Sequence, residues 1–323
     1  MTDPASPYLY SVVDGFDAEA LLGVVRDARF EQRLLAPGHF RACLQRLVFP
    51  QFSLDSGAYS LPIFASGSFG KGVVALAMAL SCKEPMWANG RQVGAGQVLV
   101  FAEDSELNVR PSPGGWQWAV LLIERDVLQM AAVDRLGYAL SIPASGWYCC
   151  DTSPRMARTL CHAVLAVLDD ASRWEMPVSD DRLAAQGSLL LGAFVDAVGE
   201  GHSGFDAPAR GEWMARRRDE SIRKAEIFLK AQLDRPFDSR ALSTLLGLGE
   251  RRVERLFQEA YGLGPCRWHQ IARLNAARHA LMRAEEGERV TDIATRLGFG
   301  HLSRFSNEYW RIFGEYPRDT LRS

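Results

Sequence analysis

The chain has 323 residues, of which 47% are hydrophobic and 24% are charged. These values are typical of soluble globular proteins and exclude collagen, a fibrous repeat or a wholly disordered chain. The length exceeds what one core needs, so we expect two domains. The longest apolar run, residues 73–82, is about half of the roughly 20 residues of a membrane-spanning helix, and the N-terminus lacks the pattern of a secretory signal. The sequence therefore predicts a cytoplasmic protein with no membrane contact.

Charge is distributed unevenly along the chain. The formal net charge is −2, but residues 216–323 contain 21 Lys and Arg against 15 Asp and Glu, whereas residues 1–215 contain 16 against 24. A basic module joined to an acidic one suggests a polyanion-binding domain attached to a domain with another partner. Charge alone leaves open the alternative that the basic excess is only a solvated surface.

The cysteines and histidines do not form a metal site in the sequence. No cysteine lies in a C-x-x-C pair or beside a histidine at zinc-ligand spacing, and the isolated histidines of the first half lack a clustered metal-binding pattern. We predict no metal and no cofactor, and reduced, mostly buried thiols. A redox role for the adjacent pair Cys149 and Cys150 is the alternative. The cysteines are Cys43, Cys82, Cys149, Cys150, Cys161 and Cys266.

The first half of the chain has the pattern of a β-sheet domain. Between residues 29 and 122, short alternating segments are separated by Gly, Pro and Asn, which predicts an antiparallel sheet folded into a sandwich or barrel. The strand-rich segments are 39–49, 70–81, 96–104 and 116–124.

Two longer helices are predicted after the strands. Ser153 can cap the first, with Pro154 at its first helical position, and the second runs from Ser179 to Gly199. They form a helical hairpin, either as a lid on the sheet or as a dimer surface.

The second half is predicted to be wholly helical. Residues 200–210 carry Gly, Ser, Asp and Pro without periodicity, so we place a linker at 200–215 between a domain at 1–199 and a domain at 216–323. Helices are expected near 213–232, 239–246, 250–261, 266–285, 291–297, 301–313 and 317–322.

Two segments of the second half, 238–262 and 290–314, have the same layout. Each has a short helix, a tight turn containing Gly, and a longer helix with polar residues on one face. This is a helix-turn-helix, which presents its second helix to the DNA major groove. The connecting helix at 266–284 would span roughly 28 Å at 1.5 Å per residue, so that one chain can enter successive major grooves about 34 Å apart.

The inward positions of each unit follow from the helical spacing. Thr291 is expected to cap the second unit. The inward residues of the first unit are Leu242, Leu245, Leu246, Val253, Leu256, Phe257 and Ala260, and those of the second unit are Ile293, Ala294, Leu297, Phe305, Tyr309, Ile312 and Phe313.

These residues resemble the AraC/XylS family of bacterial transcription regulators. In the second unit the match is carried by Ile293-Ala294, Gly298-Phe299, Phe305, Tyr309, Phe313-Gly314 and Pro317, and in the first by Leu256-Phe257, Gly262 and Pro265. Arg273-Leu274, Ala277-Arg278 and Leu281 of the connecting helix also match. The resemblance covers about one hundred residues and implies that the outward positions bind DNA. These positions are Arg251, Glu254, Arg255, Leu302, Ser303, Arg304, Asn307 and Arg311.

The chemistry of the outward residues suggests different roles. Arg251 and Arg304 are the best candidates for base contacts, most naturally with guanine, and Arg255 and Arg311 suit phosphate. Leu302 would touch a thymine methyl or staple the helix start.

Three positions depart from the family pattern. Ser243 replaces a small apolar residue and is tolerable if its hydroxyl bonds back to the helix. Gly249 replaces a Ser cap, which costs a few tenths of a kcal/mol. Trp310 stands where a basic residue is frequent, so one phosphate contact is expected to be missing.

The family resemblance implies that the first half is a cupin-like, jelly-roll-like sensor domain that binds an effector, dimerises, or both. No sequence feature identifies the effector. One set of residues would line a pocket or belong to the core: Phe64, Phe69, Trp87, Trp116 and Trp118. Another would hold an anionic effector or lie on a solvated strand face: Arg29, Arg33, Arg41 and Arg46.

The sequence predicts a regulator and not an enzyme, because it lacks the GxSxG, P-loop, HExxH and paired-cysteine motifs. The expected α+β protein binds double-stranded DNA, responds to a small molecule, activates transcription with RNA polymerase and forms a homodimer. Effector binding would shift the docking of the hairpin or the linker. The alternative is an architectural or repressor protein without a ligand.

Overall fold

The structure, a computed structural model, describes residues 6–110, 114–174, 178–201 and 210–321. Antiparallel β-sheets form the N-terminal part and helices form the C-terminal part, which confirms the predicted α+β class. Half of the predicted linker at 200–215, residues 202–209, lies outside the described residues. Its first two residues end α3 (Asp180–Gly201), and its last residues begin α4 (Arg210–Lys230).

Within the described ranges, twelve strands form two sheets that pack face to face. The seven-stranded sheet has the order β1-β3-β4-β11-β6-β9-β12, and the five-stranded sheet has the order β2-β5-β10-β7-β8. All strand pairs are antiparallel in the described part of the chain. The strands are β1 (Tyr8–Asp14), β2 (Arg29–Leu34), β3 (Arg41–Val48), β4 (Phe52–Tyr59), β5 (Ile63–Ser68), β6 (Val74–Cys82), β7 (Met86–Ala88), β8 (Arg91–Val93), β9 (Val98–Phe101), β10 (Glu106–Arg110), β11 (Trp116–Ile123) and β12 (Trp147–Cys149).

The core between the sheets is rich in aromatic side chains. The ring of Tyr59 lies 5.6 Å from the ring of Trp116 and 6.0 Å from that of Trp118, measured between centroids. Trp118 pairs across the strands with Gly57, where a Cβ would lie 2.6 Å from the indole ring. Gly57 therefore lets the large indole lie flat against β4 inside the sandwich.

The predicted helical hairpin packs on the outer face of the seven-stranded sheet. It consists of α2 (Pro154–Ala171) and α3, and its buried side chains share a core with the outward residues of β6, β9 and β11. The Ser153 hydroxyl accepts a hydrogen bond from the Met156 amide at 3.2 Å, as expected for a cap. The hairpin therefore covers the sheet, which is the lid interpretation.

One helix of the first half was not predicted. The helix α1 (Arg125–Leu136) follows β11 directly and ends at Gly137, which has a φ of 81°. It buries only Leu128 and Ala132 within the helix. This sparse apolar pattern explains why helical spacing did not reveal it.

The C-terminal helices agree closely with the sequence prediction. Besides α4, they are α5 (Ser239–Leu246), α6 (Glu250–Tyr261), α7 (Pro265–Met282), α8 (Val290–Arg296), α9 (Leu302–Phe313) and α10 (Pro317–Thr320). None of the helices in the described ranges has the length and apolar character needed to cross a membrane. The same ranges contain no group of three or more His, Cys, Asp or Glu side chains arranged to hold a metal ion.

The second helix-turn-helix unit packs against the segment that follows β1. The ring of Phe16 stacks on that of Phe313 with centroids 6.2 Å apart. The guanidinium of Arg278, on α7, donates to the Phe16 carbonyl and forms an ion pair with Glu315. Its side chain is only 10% exposed. Arg278 therefore joins the sheet domain, the connecting helix and the end of the second unit.

The first unit packs against the five-stranded sheet. Phe64 on β5 meets Tyr261 edge-on with ring centroids 4.9 Å apart, and Arg33 on β2 lies over the ring of Trp268 at 4.8 Å. The Arg110 guanidinium donates to the Glu259 carbonyl at 3.2 Å. Among the described residues, the main contacts between the two halves thus involve this sheet and the segment after β1, while the hairpin covers the other sheet.

Candidate nucleic-acid interface

The first helix-turn-helix unit is formed by α5 and α6. Asp238 caps α5 by accepting hydrogen bonds from the amides of Arg240 and Ala241 at 2.9 and 3.0 Å. The turn begins at Gly247, whose φ of 61° favours glycine. Gly249 then takes the N-cap position of α6 without a side-chain hydrogen bond, as expected for a residue that replaces a serine cap.

The packing of the first unit corrects two details of the sequence prediction. Leu245 was expected to face inward, but it is 47% exposed, whereas Leu242 is fully buried. Leu242 is the buried residue of α5, so the inward face of this helix is narrower than the spacing suggested. The Ser243 hydroxyl is buried and has no hydrogen-bond partner among the described residues, so it does not bond back to the helix.

The second unit is formed by α8 and α9. The prediction that Thr291 caps α8 is wrong, because the N-cap is Arg289 and the helix already begins at Val290. In the turn, Gly298 has a φ of 71°, and a Cβ there would lie 2.2 Å from the Asp234 carbonyl oxygen. Both the backbone conformation and the close approach of this neighbouring chain segment therefore require glycine.

The long helix α7 fixes the two units to each other. Arg273 donates two hydrogen bonds to the Leu297 carbonyl, at 3.0 and 2.7 Å, and its guanidinium lies 4.4 Å from the centre of the Phe299 ring. Burial lowers the pKa of Arg273 from its ordinary value. Tyr309 of α9 shares a 2.8 Å hydrogen bond with the Thr320 hydroxyl. The recognition helix α9 thus has fixed support on its inner side.

All eight predicted contact residues lie on exposed parts of α6 and α9. The inner sides of the two helices are buried, so each helix has one outward polar face. Arg255 lies 3.8 Å from the Glu259 carboxylate, and the Arg304 Nε donates to Glu308 at 3.0 Å. The residues are Arg251, Glu254, Arg255 on α6 and Leu302, Ser303, Arg304, Asn307, Arg311 on α9.

Glu254 also has a local structural environment. A Cβ placed on Gly264, the N-cap of α7, would lie 2.1 Å from a Glu254 carboxylate oxygen. The carboxylate therefore lies beside the start of α7, where the helix dipole favours a negative charge. Its role as a DNA contact stays a prediction.

Sequence reasoning missed one candidate residue in the first unit. Counting back ten positions from Gly262 and Gly314, which end the two recognition helices, aligns Arg252 with Arg304. Arg252 is exposed. Alignment on the helix-ending glycines was the signal that would have identified it.

The candidate effector residues of the first half do not form one site. Trp116, Trp118 and Phe69 belong to the core, while Phe64 packs on the C-terminal half and Arg110 lies over Trp87 at 5.2 Å.

The basic candidates of the first half also separate into different environments. Arg29 and Arg41 are exposed. Arg33 pairs with Glu31 at 3.0 Å, and Arg46 pairs with the fully buried Asp55 at 2.5 Å. The prediction that these four arginines lie on a solvated strand face is therefore wrong for Arg33 and Arg46, whose charges are paired.

The adjacent cysteines lie in a buried environment. Burial raises the pKa of Cys149 to about 11 and that of Cys150 to about 12. At neutral pH both groups are therefore thiols, and the thiolate that redox exchange requires is disfavoured.

Comparison with known proteins agrees with this geometry. Residues 242–323 match a family model described as a helix-turn-helix domain. A probable thc operon regulatory protein of Rhodococcus erythropolis is 36% identical over 103 residues, or 32% of this chain and 31% of that protein. The C-terminal part of this chain is an AraC-type helix-turn-helix domain. The XylDLEGF operon transcriptional activator of Pseudomonas putida is 32% identical to this chain over 103 residues, or 32% of each protein.

The two curated relatives match about a third of this chain. The chain spans about a third of the length of these curated relatives. A solved structure of a probable AraC family transcriptional regulator from Rhodopseudomonas palustris is 30% identical, with a TM-score of 0.30, and covers 32% of this chain and 95% of that one.

Proposed function

We propose that the protein is a transcription regulator that binds a specific double-stranded DNA site by placing α6 and α9 in two successive major grooves. The observation that carries the proposal is the presence of two helix-turn-helix units, each with an exposed polar face, on one connecting helix. The 18 residues of α7 correspond to about 27 Å. With the turns at both ends, this length suits recognition helices separated by one DNA turn of about 34 Å.

The outward residues divide into base-reading and phosphate-binding groups in this proposal. Arg251 and Arg304 donate to guanine edges, where a guanidinium can bond O6 and N7 together. Arg255, Arg311 and the newly identified Arg252 hold phosphates, which position the protein without specifying sequence. The other contacts are Glu254, Leu302, Ser303 and Asn307.

The N-terminal half is the sensor and dimerisation domain of this proposed regulator. It occupies residues 1–199 and is joined by a linker at 200–215 to the DNA-binding domain at 216–323. A small-molecule effector changes how the five-stranded sheet and the segment after β1 dock on α7 and α9. The protein acts in the cytoplasm as a homodimer, and it activates transcription with RNA polymerase. The contacts of Arg278 and Phe64 between the halves support this coupling.

The aromatic core of the sandwich offers groups for an effector. The indole N–H of Trp116 is buried and has no hydrogen-bond acceptor among the described residues, whereas that of Trp118 lies beside the Tyr59 hydroxyl. An unsatisfied buried donor costs about 1–3 kcal/mol. A small molecule with a hydrogen-bond acceptor, bound beside Tyr59, would satisfy the Trp116 donor. In a reporter assay with the inducing molecule, Trp116→Phe, which removes the N–H and keeps an aromatic ring, should weaken the response.

The proposal is tested by selecting genomic DNA fragments with the purified full-length protein at physiological salt, followed by sequencing. One enriched motif with two clusters of preferred bases about one helical turn apart would support tandem recognition. If no motif appears, the selection is repeated with a fragment of residues 216–323 whose folding is first checked by circular dichroism. A motif from the folded fragment indicates that the N-terminal half restrains binding, and its absence contradicts sequence-specific recognition.

A further inference from the structure

Glu308 lies between the connecting helix and the outward face of α9. Its side chain is only 16% exposed, whereas that of Arg304, one turn earlier, is 74% exposed. Glu308 Oε1 accepts a hydrogen bond from Arg304 Nε at 3.0 Å, and Glu308 Oε2 accepts one from the Gln270 amide of α7. Arg267 donates to the Gln270 oxygen at 2.7 Å. A chain of polar contacts therefore leads from α7 to a predicted base-reading residue.

The first unit has no carboxylate at the corresponding position. Counting back from the glycine that ends each recognition helix aligns Leu256 with Glu308 and Arg252 with Arg304. Leu256 is 8% exposed and belongs to the core of its unit. A carboxylate at such a position costs free energy unless its oxygens are hydrogen-bonded. Apolar packing therefore does not explain Glu308, whereas its two partners do.

The geometry of the pair suits recognition of a base. Arg304 contacts Glu308 through Nε, and its two terminal nitrogens take no part in this bond. The two terminal nitrogens of a guanidinium can bond guanine O6 and N7 together. The Arg304 side chain is 74% exposed, and a free side chain of this kind loses rotamer freedom on binding DNA. The bond at Nε restricts the side chain beforehand, so that less freedom is lost. The negative charge of the carboxylate also weakens the attraction of Arg304 to DNA phosphates. Such attraction does not depend on the base sequence.

We infer that Glu308 is a positioning residue that fixes the guanidinium of Arg304 for a guanine, and that Gln270 anchors Glu308 in this role. The two residues make the second unit selective at one base of the DNA site. This inference rests on the proposed function, because it requires Arg304 to read a base.

The test compares DNA affinities of the full-length protein and its variants at one salt concentration. The probes are the selected site, the same site with single base changes, and random duplex DNA. Arg304→Ala first identifies the base that Arg304 reads. At that position, the parent should prefer the selected base over the changed base by about 5- to 150-fold, and the variant should lose this preference. Glu308→Leu, which copies the first unit, should reduce discrimination at that base by about threefold or more. It should also increase affinity for random DNA.

Two further variants separate the contributions of charge and anchoring. Glu308→Gln keeps an acceptor for Arg304 and loses the charge, so it should retain more discrimination than Glu308→Leu. Gln270→Leu keeps the ion pair and removes its anchor, and a smaller loss at the same base is expected. The thermal midpoint of each variant is measured as well, because Glu308→Leu also removes the acceptor of the Gln270 amide and a negative charge near Arg273.

Glu259→Gln is the matched control. It also removes one carboxylate from an i, i+4 pair with an arginine, because Glu259 lies 3.8 Å from Arg255 on α6. Affinity for random DNA should rise in this variant as well, while discrimination at the base read by Arg304 should stay unchanged. An equal loss of discrimination in Glu259→Gln would assign the effect to overall charge and overturn the inference.

The remaining outcomes distinguish this inference from the proposed function. If Arg304→Ala leaves every base preference intact, the base-reading role of Arg304 fails. If Arg304→Ala relaxes one position and Glu308→Leu keeps full discrimination there, only the positioning role fails. A gain of discrimination in Glu308→Leu would also overturn the positioning role, because Glu308 would then compete with the base for the guanidinium of Arg304.

Discussion

The two helix-turn-helix units share one backbone plan and differ in the chemistry of their outward faces. The first recognition helix exposes the arginines Arg251, Arg252 and Arg255, whereas the second exposes Ser303 and Asn307 around Arg304. Contacts with phosphates position the protein, whereas contacts with base edges specify the sequence. Besides the proposed base contact of Arg251, we therefore expect the first unit to contribute mainly affinity, and we expect the second unit, despite the proposed phosphate contact of Arg311, to contribute mainly specificity.

The units also differ in how they are held. The second unit is joined to the segment after β1 by the buried guanidinium of Arg278 and by the stacking of Phe16 on Phe313. The first unit meets the sheet domain through the contact of Phe64 with Tyr261 and the hydrogen bond from Arg110 to the Glu259 carbonyl. We therefore expect loss of the buried guanidinium to lower the free energy of unfolding more than loss of one aromatic contact of the first unit.

The largest expected effect is that of Arg278→Ala. The substitution leaves the Phe16 carbonyl without its guanidinium donor and Glu315 without its ionic partner. Removing one member of a buried pair costs about 3–5 kcal/mol. Because the Glu315 side chain is 37% exposed and water can reach it, we expect the lower end, about 3 kcal/mol, in denaturant unfolding of the full chain.

Arg283→Ala is the control for Arg278→Ala. Arg283, directly after α7, also forms an ion pair with the segment after β1, through Glu19, but the Arg283 side chain is 59% exposed. An exposed pair contributes about 0–1 kcal/mol. Equal destabilisation by the two substitutions would show that burial of Arg278 does not distinguish the attachment of the second unit.

The proposed division between affinity and specificity is tested by Arg304→Ala and Arg255→Ala. The first should cost about 1–3 kcal/mol at the selected site and relax preference at one base. The second should weaken binding to all sequences and reduce the slope of log affinity against log salt by about 1. Affinity titrations over a range of salt concentrations check both expectations. A change of base preference in Arg255→Ala alone would reverse the roles of the two units.

Local signals predicted most of the C-terminal half. The glycine turns and apolar spacing identified α5, α6, α8 and α9 to within a few residues, because each unit is defined by contacts close in sequence. The same spacing placed the exposed positions of the recognition helices.

Contacts distant in sequence were not predictable in the same way. The docking of Phe64 on Tyr261 joins residues far apart in the chain, and a strand pattern gives the same apolar signal for core and interface. Glu308 was missed because a glutamate on a helix resembles a solvated residue until its packing on Gln270 is known. Sequence periodicity specified the elements, whereas their partners depended on tertiary contacts.

Ser243→Ala should make the first unit more like the second and stabilise it. When the two Gly-containing turns are aligned, Ser243 takes the position equivalent to that of Ala294 in the second unit. Ala294 is fully buried. The Ser243 hydroxyl is buried without a partner among the described residues, and such a group costs about 1–3 kcal/mol. We expect a gain of about 1 kcal/mol in denaturant unfolding. A loss of stability would mean that the hydroxyl contributes favourably to the native packing.

The smallest expected effect concerns Trp310, which lies on α9 and is 48% exposed beside Tyr316. The family resemblance places a basic residue here, so Trp310→Lys should add one phosphate contact and steepen the salt dependence of log affinity by about 0.9. Trp310→Gln also removes the ring but adds no charge, and its slope should equal that of the parent. Since base preference should not change in either variant, the lysine would give the second unit more of the generic affinity proposed for the first. An unchanged slope in Trp310→Lys would instead place position 310 away from the DNA backbone and confine the proposed interface of α9 to its N-terminal part.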